Sequence, residues 1–154
     1  MKWRTAILLT CALLIGAKGA AAQTARVGTF DRQAIALAYY RSPLWAEVLH
    51  QKRMELKAAQ QANDQQKVDE LNKWGGESQE LAHKQVFSPN EPIDNILTAI
   101  APAIQDLCKS ENLSKVVPAP APDASQTVDV TAQLLDWLKA DEKTREIIRQ
   151  MQQK

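Results

Sequence analysis

His50, His83, Cys108 and the carboxylates of Asp64, Asp69, Glu70, Glu77 and Glu80 are the side chains whose types suit catalysis or metal binding. The histidines would need a shared site to hold a metal. If the chain turns back at Gly75-Gly76, they sit roughly 25 Å apart along the resulting hairpin, at 1.5 Å per residue. Without further ligands beside either one, both read as solvated surface histidines. The five carboxylates are interspersed with Lys and Gln and have no apolar pocket to raise a pKa, so they read as a solvated face. Cys108 shares a helical face with Ile100, Ile104 and Leu107 and reads as a small buried residue. Its alternative is an intermolecular disulfide or a redox thiol.

Known catalytic and cofactor signatures are missing. Beyond residue 22 the chain has three glycines, Gly28, Gly75 and Gly76. That leaves no phosphate-cradling glycine loop. No Cys pair, HExxH or GxSxG occurs. The reading is therefore no enzyme, no cofactor and no metal. Asn112-Leu113-Ser114 fits a glycosylation sequon, which matters only in a eukaryotic secretory pathway.

The N-terminus has the order of a cleavable export signal. Lys2 and Arg4 precede an uncharged run from Thr5 to Ala17, and Ala20-Ala21-Ala22 supplies small residues before a cut ahead of Gln23. Thirteen helical residues cover about 20 Å, short of the roughly 30 Å hydrocarbon core. Cys11 lies mid-run and is a poor lipidation site. Residues 1–22 are thus read as a signal peptide and 23–154 as a single exported domain with no stable membrane span. The whole chain has 19 Lys+Arg against 18 Asp+Glu, and removing Lys2, Arg4 and Lys18 leaves 16 against 18. No basic excess points to nucleic acid. One remaining cysteine excludes an internal disulfide.

Periodicity supplies the scaffold. A strand is expected over Ala25 to Phe30, then a helix from Arg32 to Arg41 capped by Asp31. Ser42-Pro43 opens a long helix to about Trp74, roughly 48 Å. Gly75-Gly76 stops it, and a returning helix runs from Glu77 to Phe87. Ser88-Pro89-Asn90-Glu91 signals a restart into the clearest amphipathic helix, with Ile93, Ile96, Leu97, Ile100, Ile104 and Leu107 at spacings of three and four. Pro102 inside it should kink it. Leu113 to Val117 and Gln126 to Val130 read as strands around a Pro-Ala-Pro linker. Thr131 caps a last helix, with a break near Asp141. The fold class is α+β, predominantly helical, with a small antiparallel sheet body and a projecting hairpin over 43–112. Residues 139–154 form a C-terminal extension.

The stretches Val27-Gly28-Thr29-Phe30-Asp31, Ser42-Pro43, Ala99 to Val117 and Val128-Asp129-Val130-Thr131 through Leu138 occur in an order that resembles the Skp/OmpH family of periplasmic chaperones. The resemblance implies a homo-oligomer, a trimer in known members, whose hairpins surround unfolded outer-membrane proteins in the bacterial periplasm. This sequence departs from the pattern in its short, non-basic hairpin, its Pro-Ala-Pro stretch and its extension past Lys139. The apolar residues expected to contact a client or partner are Leu44, Trp45, Val48, Leu56, Trp74 and Leu81, with Ile147, Ile148 and Met151 on the extension. Trp74 would cover the hairpin end by packing on Leu71 and Leu81, or meet a client. A structural or adaptor protein of the cell envelope, binding a folded partner through hairpin and extension, is the alternative function.

Overall fold

The computed structural model describes residues 26–121 and 126–153. The expected signal peptide with Cys11 and Ala25, the end of the Pro-Ala-Pro linker at Pro122, and Lys154 lie outside the described residues.

Strand β1, Arg26–Phe30, leads into helix α1, Arg32–Tyr40. Asp31 caps α1 as expected, its carboxylate accepting from the Ala34 amide at 3.0 Å. Helix α2, Pro43–Gln61, follows at once. Buried Ser42 stops α1 and starts α2: its hydroxyl donates to Tyr39 O and accepts from the Trp45 amide. A cap of this kind contributes about 1 kcal/mol, and Pro43 at the first helical position loses no hydrogen bond.

The hairpin turns elsewhere than Gly75-Gly76. Helix α2 ends at Gln61, and helix α3 runs from Gln65–Phe87 straight through both glycines. The turn is made by Asn63 with φ of 54° and by Asp64, whose side chain accepts from the Lys67 amide at 3.0 Å. Asparagine tolerates the left-handed region better than most side chains, and Asp is a strong N-cap. The pair is a stop followed by a start. Neither helical glycine has positive φ. Helix α2, with 19 residues, is therefore about 28 Å long rather than the expected 48 Å.

The restart after α3 also differs. Residues Ser88 to Pro92 form a turn, and helix α4 spans Asp94–Ser110. Pro92 disfavours helical backbone at Glu91, so the capping-box pattern cannot close there. Pro102 stays within α4. The carbonyl that would meet its missing N–H belongs to Thr98, and both residues are exposed, so water can serve it. Helix α4 packs on the body, which confines the projecting hairpin to 43–87 rather than 43–112.

Strands β2, Leu113–Pro118, and β3, Thr127–Asp129, complete a three-stranded sheet in the order β2-β1-β3. Both pair parallel to β1, which overturns the expected antiparallel body. The cause is connection geometry. An antiparallel pair can be joined by a tight hairpin, whereas a parallel strand needs a crossover that returns the chain to its starting end. The helices between Asp31 and Asn112 supply one such crossover, and Ala119 bonds to Phe30 at one end of β1 while Gln126 bonds to Val27 at the other.

Helix α5, Thr131–Trp137, and helix α6, Glu142–Gln152, close the chain, with Asp141 capping α6 at the expected break. Thr131 is not a cap. It lies in the first turn of α5, where its Oγ1 accepts from the Asp31 amide at 2.9 Å and donates to Asp129 Oδ1 at 2.6 Å. One core joins Phe30, Ile35, Ile96, Ile100, Leu134 and Ile148, drawn from β1, α1, α4, α5 and α6. Each such side chain contributes about 1.5–3 kcal/mol when fully buried. These helices pack on the sheet through this core.

Gly28 sits where β1 meets β2. A Cβ there would lie 2.8 Å from Val116 Cγ2 and 2.9 Å from Leu113 Cδ1, both on buried residues. Gly28→Ala should lower unfolding stability by about 1–3 kcal/mol, read as a reduced urea midpoint. An unchanged midpoint would show that the strands separate at no cost.

Helix α6 carries a pH-dependent contact. The Thr144 hydroxyl and amide hold the Asp141 carboxyl below its ordinary 3.8, with smaller help from Arg41 and Lys143. Stability from this ionised cap is present above the unfolded-state pKa and is lost as pH falls through the lower folded value. Asp141→Asn keeps a capping oxygen but no charge. The Tm difference between wild type and this variant should narrow as pH drops from neutral to below 3.8. A difference that widens on acidification would contradict the assigned direction.

Candidate interaction groove on the hairpin

The two hairpin helices meet along a heptad-like seam. On α2, Trp45, Leu49, Lys52 and Leu56 are half-buried and Ala59 is buried, at spacings of four and three. On α3 the covered positions include Val68, Leu71, Ser78, Ala82 and Gln85. Gly75 takes the seam position between Leu71 and Ser78 but stays exposed, because it has no side chain to insert.

The missing side chain leaves an open groove of about 250 Å³. Leu49, Leu56, Leu71 and Trp74 give it an apolar lining, Gly75 and Gly76 a low wall, and Lys52, Arg53 and Asn72 its polar groups. A Cβ at either glycine would meet nothing within 4 Å. Both charged side chains at this groove are basic, although the hairpin as a whole has six basic residues against seven acidic. Lys52 pairs with Glu55 at 2.9 Å and lies 5.7 Å from the Trp74 ring centroid. Among the described residues Arg53 has no ion-pair partner.

Aromatic packing joins the groove to the body. Trp45 stands edge-on to Tyr40 with centroids 5.0 Å apart, and 6.2 Å from Trp74. Tyr39 lies 5.1 Å from Tyr40. Burial raises the pKa of both tyrosines, with Tyr40 adding to the shift at Tyr39, so both stay protonated at neutral pH. Tyr40 donates to Gln85 Oε1 at 2.6 Å. The Gln85 amide donates to Pro92 O and to Asn95 Oδ1, so one buried side chain ties α3 to α1 and α4. The hairpin root is thereby fastened to the body, while the groove above it faces solvent.

The expected contact residues divide between groove, surface and core. Leu56 and Trp74 line the groove, and Trp45 touches it through Trp74. Leu44 and Leu81 are exposed at 40% and 36%. Val48 is half-buried on α2. Trp74 is not at the hairpin tip, because the turn lies at residues 62–64. On the extension Ile148 is only 4% exposed and belongs to the core, with Met151 packed against it and Ile147 half-buried. Arg41 Nε donates to Thr144 Oγ1 at 2.8 Å and Gln152 Nε2 to Asp31 Oδ2 at 2.8 Å, which fastens α6 to α1. Leu49, Lys52, Arg53 and the glycine pair were missed as site residues. The heptad spacing through Leu49, Lys52 and Leu56 was the available signal, hidden by the misplaced turn.

The residues first considered for chemistry stay apart. His50 and His83 are both exposed, and His83 packs on Phe87 at 4.8 Å. Cys108 is half-buried against the core. Asp64 is a helix cap, and exposed Glu80 pairs with Lys84 at 2.7 Å. Among the described residues no three His, Cys, Asp or Glu side chains gather at a metal-binding distance. A second cleft, about 370 Å³, opens at the carboxyl end of β1 beside Arg32 and Asp129. Its carboxylates already serve the fold: Asp31 caps α1 and holds Gln152, and Asp129 holds Thr131. Among the described residues no helix is long and apolar enough to cross a membrane.

Comparison with protein-family models, curated proteins and solved structures returns no match.

The glycine pair offers a direct test of the geometry. In an exposed helix Gly→Ala gains about 0.5–1 kcal/mol per position. Gly75→Ala with Gly76→Ala should therefore raise Tm in a circular-dichroism melt. A lowered Tm would place the turn at these glycines after all, since alanine is strained at positive φ.

Proposed function

We propose that this protein is an exported, chaperone-like binding protein that holds unfolded outer-membrane proteins in the bacterial periplasm through its α2–α3 hairpin. The observation that carries this reading is the solvent-open apolar groove between Leu56, Leu71 and Trp74 on a hairpin whose root is hydrogen-bonded to the body. The gap costs stability: two glycines in mid-helix weaken α3, and a Cβ at either would meet nothing within 4 Å. Weak apolar contacts at such a surface are reversible, as release of a client requires. The extension supports this reading over an adaptor, because Ile148 and Met151 are packed within the chain itself. A cavity between hairpins requires more than one copy, which follows the Skp/OmpH resemblance.

The test is light scattering from an unfolded outer-membrane barrel diluted out of urea, with the exported chain present or absent. Its oligomeric state is measured alongside by size exclusion with light scattering. Suppressed aggregation at near-stoichiometric ratio, by an oligomer, is expected. A monomer that leaves aggregation unchanged would overturn the proposal.

A further inference from the structure

Resting on the binding role just proposed, we infer that the hairpin groove is selective: it takes a polypeptide segment that presents one large apolar side chain next to a carboxylate. The groove spans Leu49 to Leu56 on α2, two helical turns or about 10 Å. That length suits one aromatic or large aliphatic anchor rather than a whole helix face. Leu56 and Leu71 supply the floor and Trp74 the flat wall on which an aromatic ring can stack. The missing side chains at Gly75 and Gly76 let the segment's backbone approach α3 closely.

Charge decides the second feature. Both ionisable groups at the groove are basic. Lys52 is already engaged by Glu55 and by the Trp74 ring. Arg53 lacks an ion-pair partner among the described residues, and its guanidinium offers the fork that a carboxylate accepts in bidentate fashion. A segment with a lysine beside its anchor would meet the like charge of Arg53 instead. The selectivity is local, since it arises at the groove of a hairpin with no basic excess.

The probes are short soluble peptides carrying one central Phe flanked by Glu, by Gln or by Lys, titrated into the full exported chain by fluorescence polarisation. The Glu peptide should bind roughly threefold to fivefold more tightly than the Gln peptide, and the Lys peptide most weakly, as suits an exposed ion pair. Added salt should compress the series. Arg53→Glu should invert the order. Gly75→Leu fills the groove and should abolish binding of all three while leaving the fold intact, and Gly76→Leu is the second filling variant should the first not fold. Equal affinity for the Glu and Gln peptides, or unchanged binding after the groove is filled, overturns the inference. Suppression of barrel aggregation without peptide discrimination would overturn the selectivity and spare the chaperone reading. Discrimination without suppression would do the reverse.

Discussion

Strand β1 is five residues long and bonded on both edges, and both of its partners come from the far end of the chain. Leu113–Pro118 lies on one side and Thr127–Asp129 on the other. Closing this pairing requires the chain to travel through four helices and return to the same end of the sheet, because parallel neighbours cannot be joined by a tight turn. The hairpin is thus an excursion within a crossover, and its root must be fixed for the sheet to close. The Asp31–Thr131 hydrogen bond sits at this junction, joining the start of α1 to the start of α5.

The hairpin obeys a different balance from the body. In the body, Phe30, Ile35, Ile96, Ile100, Leu134 and Leu138 are essentially sealed from water. Along the hairpin, burial is confined to Ala59, Leu71 and the Gln85-Val86 root. Lys52 and Gly75 occupy seam positions where a tight coiled coil would place leucines. Stability is given up where the groove opens and is recovered at the root, where Gln85 satisfies three elements at once.

Much of the fold was legible in local chemistry. Asp31 and Ser42-Pro43 each marked a helix start, because a short polar side chain satisfies exposed N–H groups within three residues of itself, while Asp141 was read only as a break and is the cap of α6. The apolar spacing through Ile96 and Ile100 marked α4, and all three strands were placed close to their observed bounds. The hairpin turn was misread because two glycines outweighed Asn63-Asp64. Glycine permits a turn without requiring one, whereas Asn63 accepts the left-handed region and Asp64 after it caps the next helix.

Local chemistry determined the place of each strand and of most helix starts in this chain. The tertiary structure decided three things that no short window contains. The sheet is parallel because strand direction depends on the path between strands rather than on the strands themselves. Ile148 and Met151 face inward because α6 folds back onto α1, although the spacing of the Ile147-Ile148-Met151 stripe alone suits a partner equally well. The groove exists because a glycine on α3 comes to face a lysine-bearing turn of α2, and that juxtaposition depends on where the hairpin turns. Periodicity reports which face of an element is apolar, and only the path of the chain decides what that face meets.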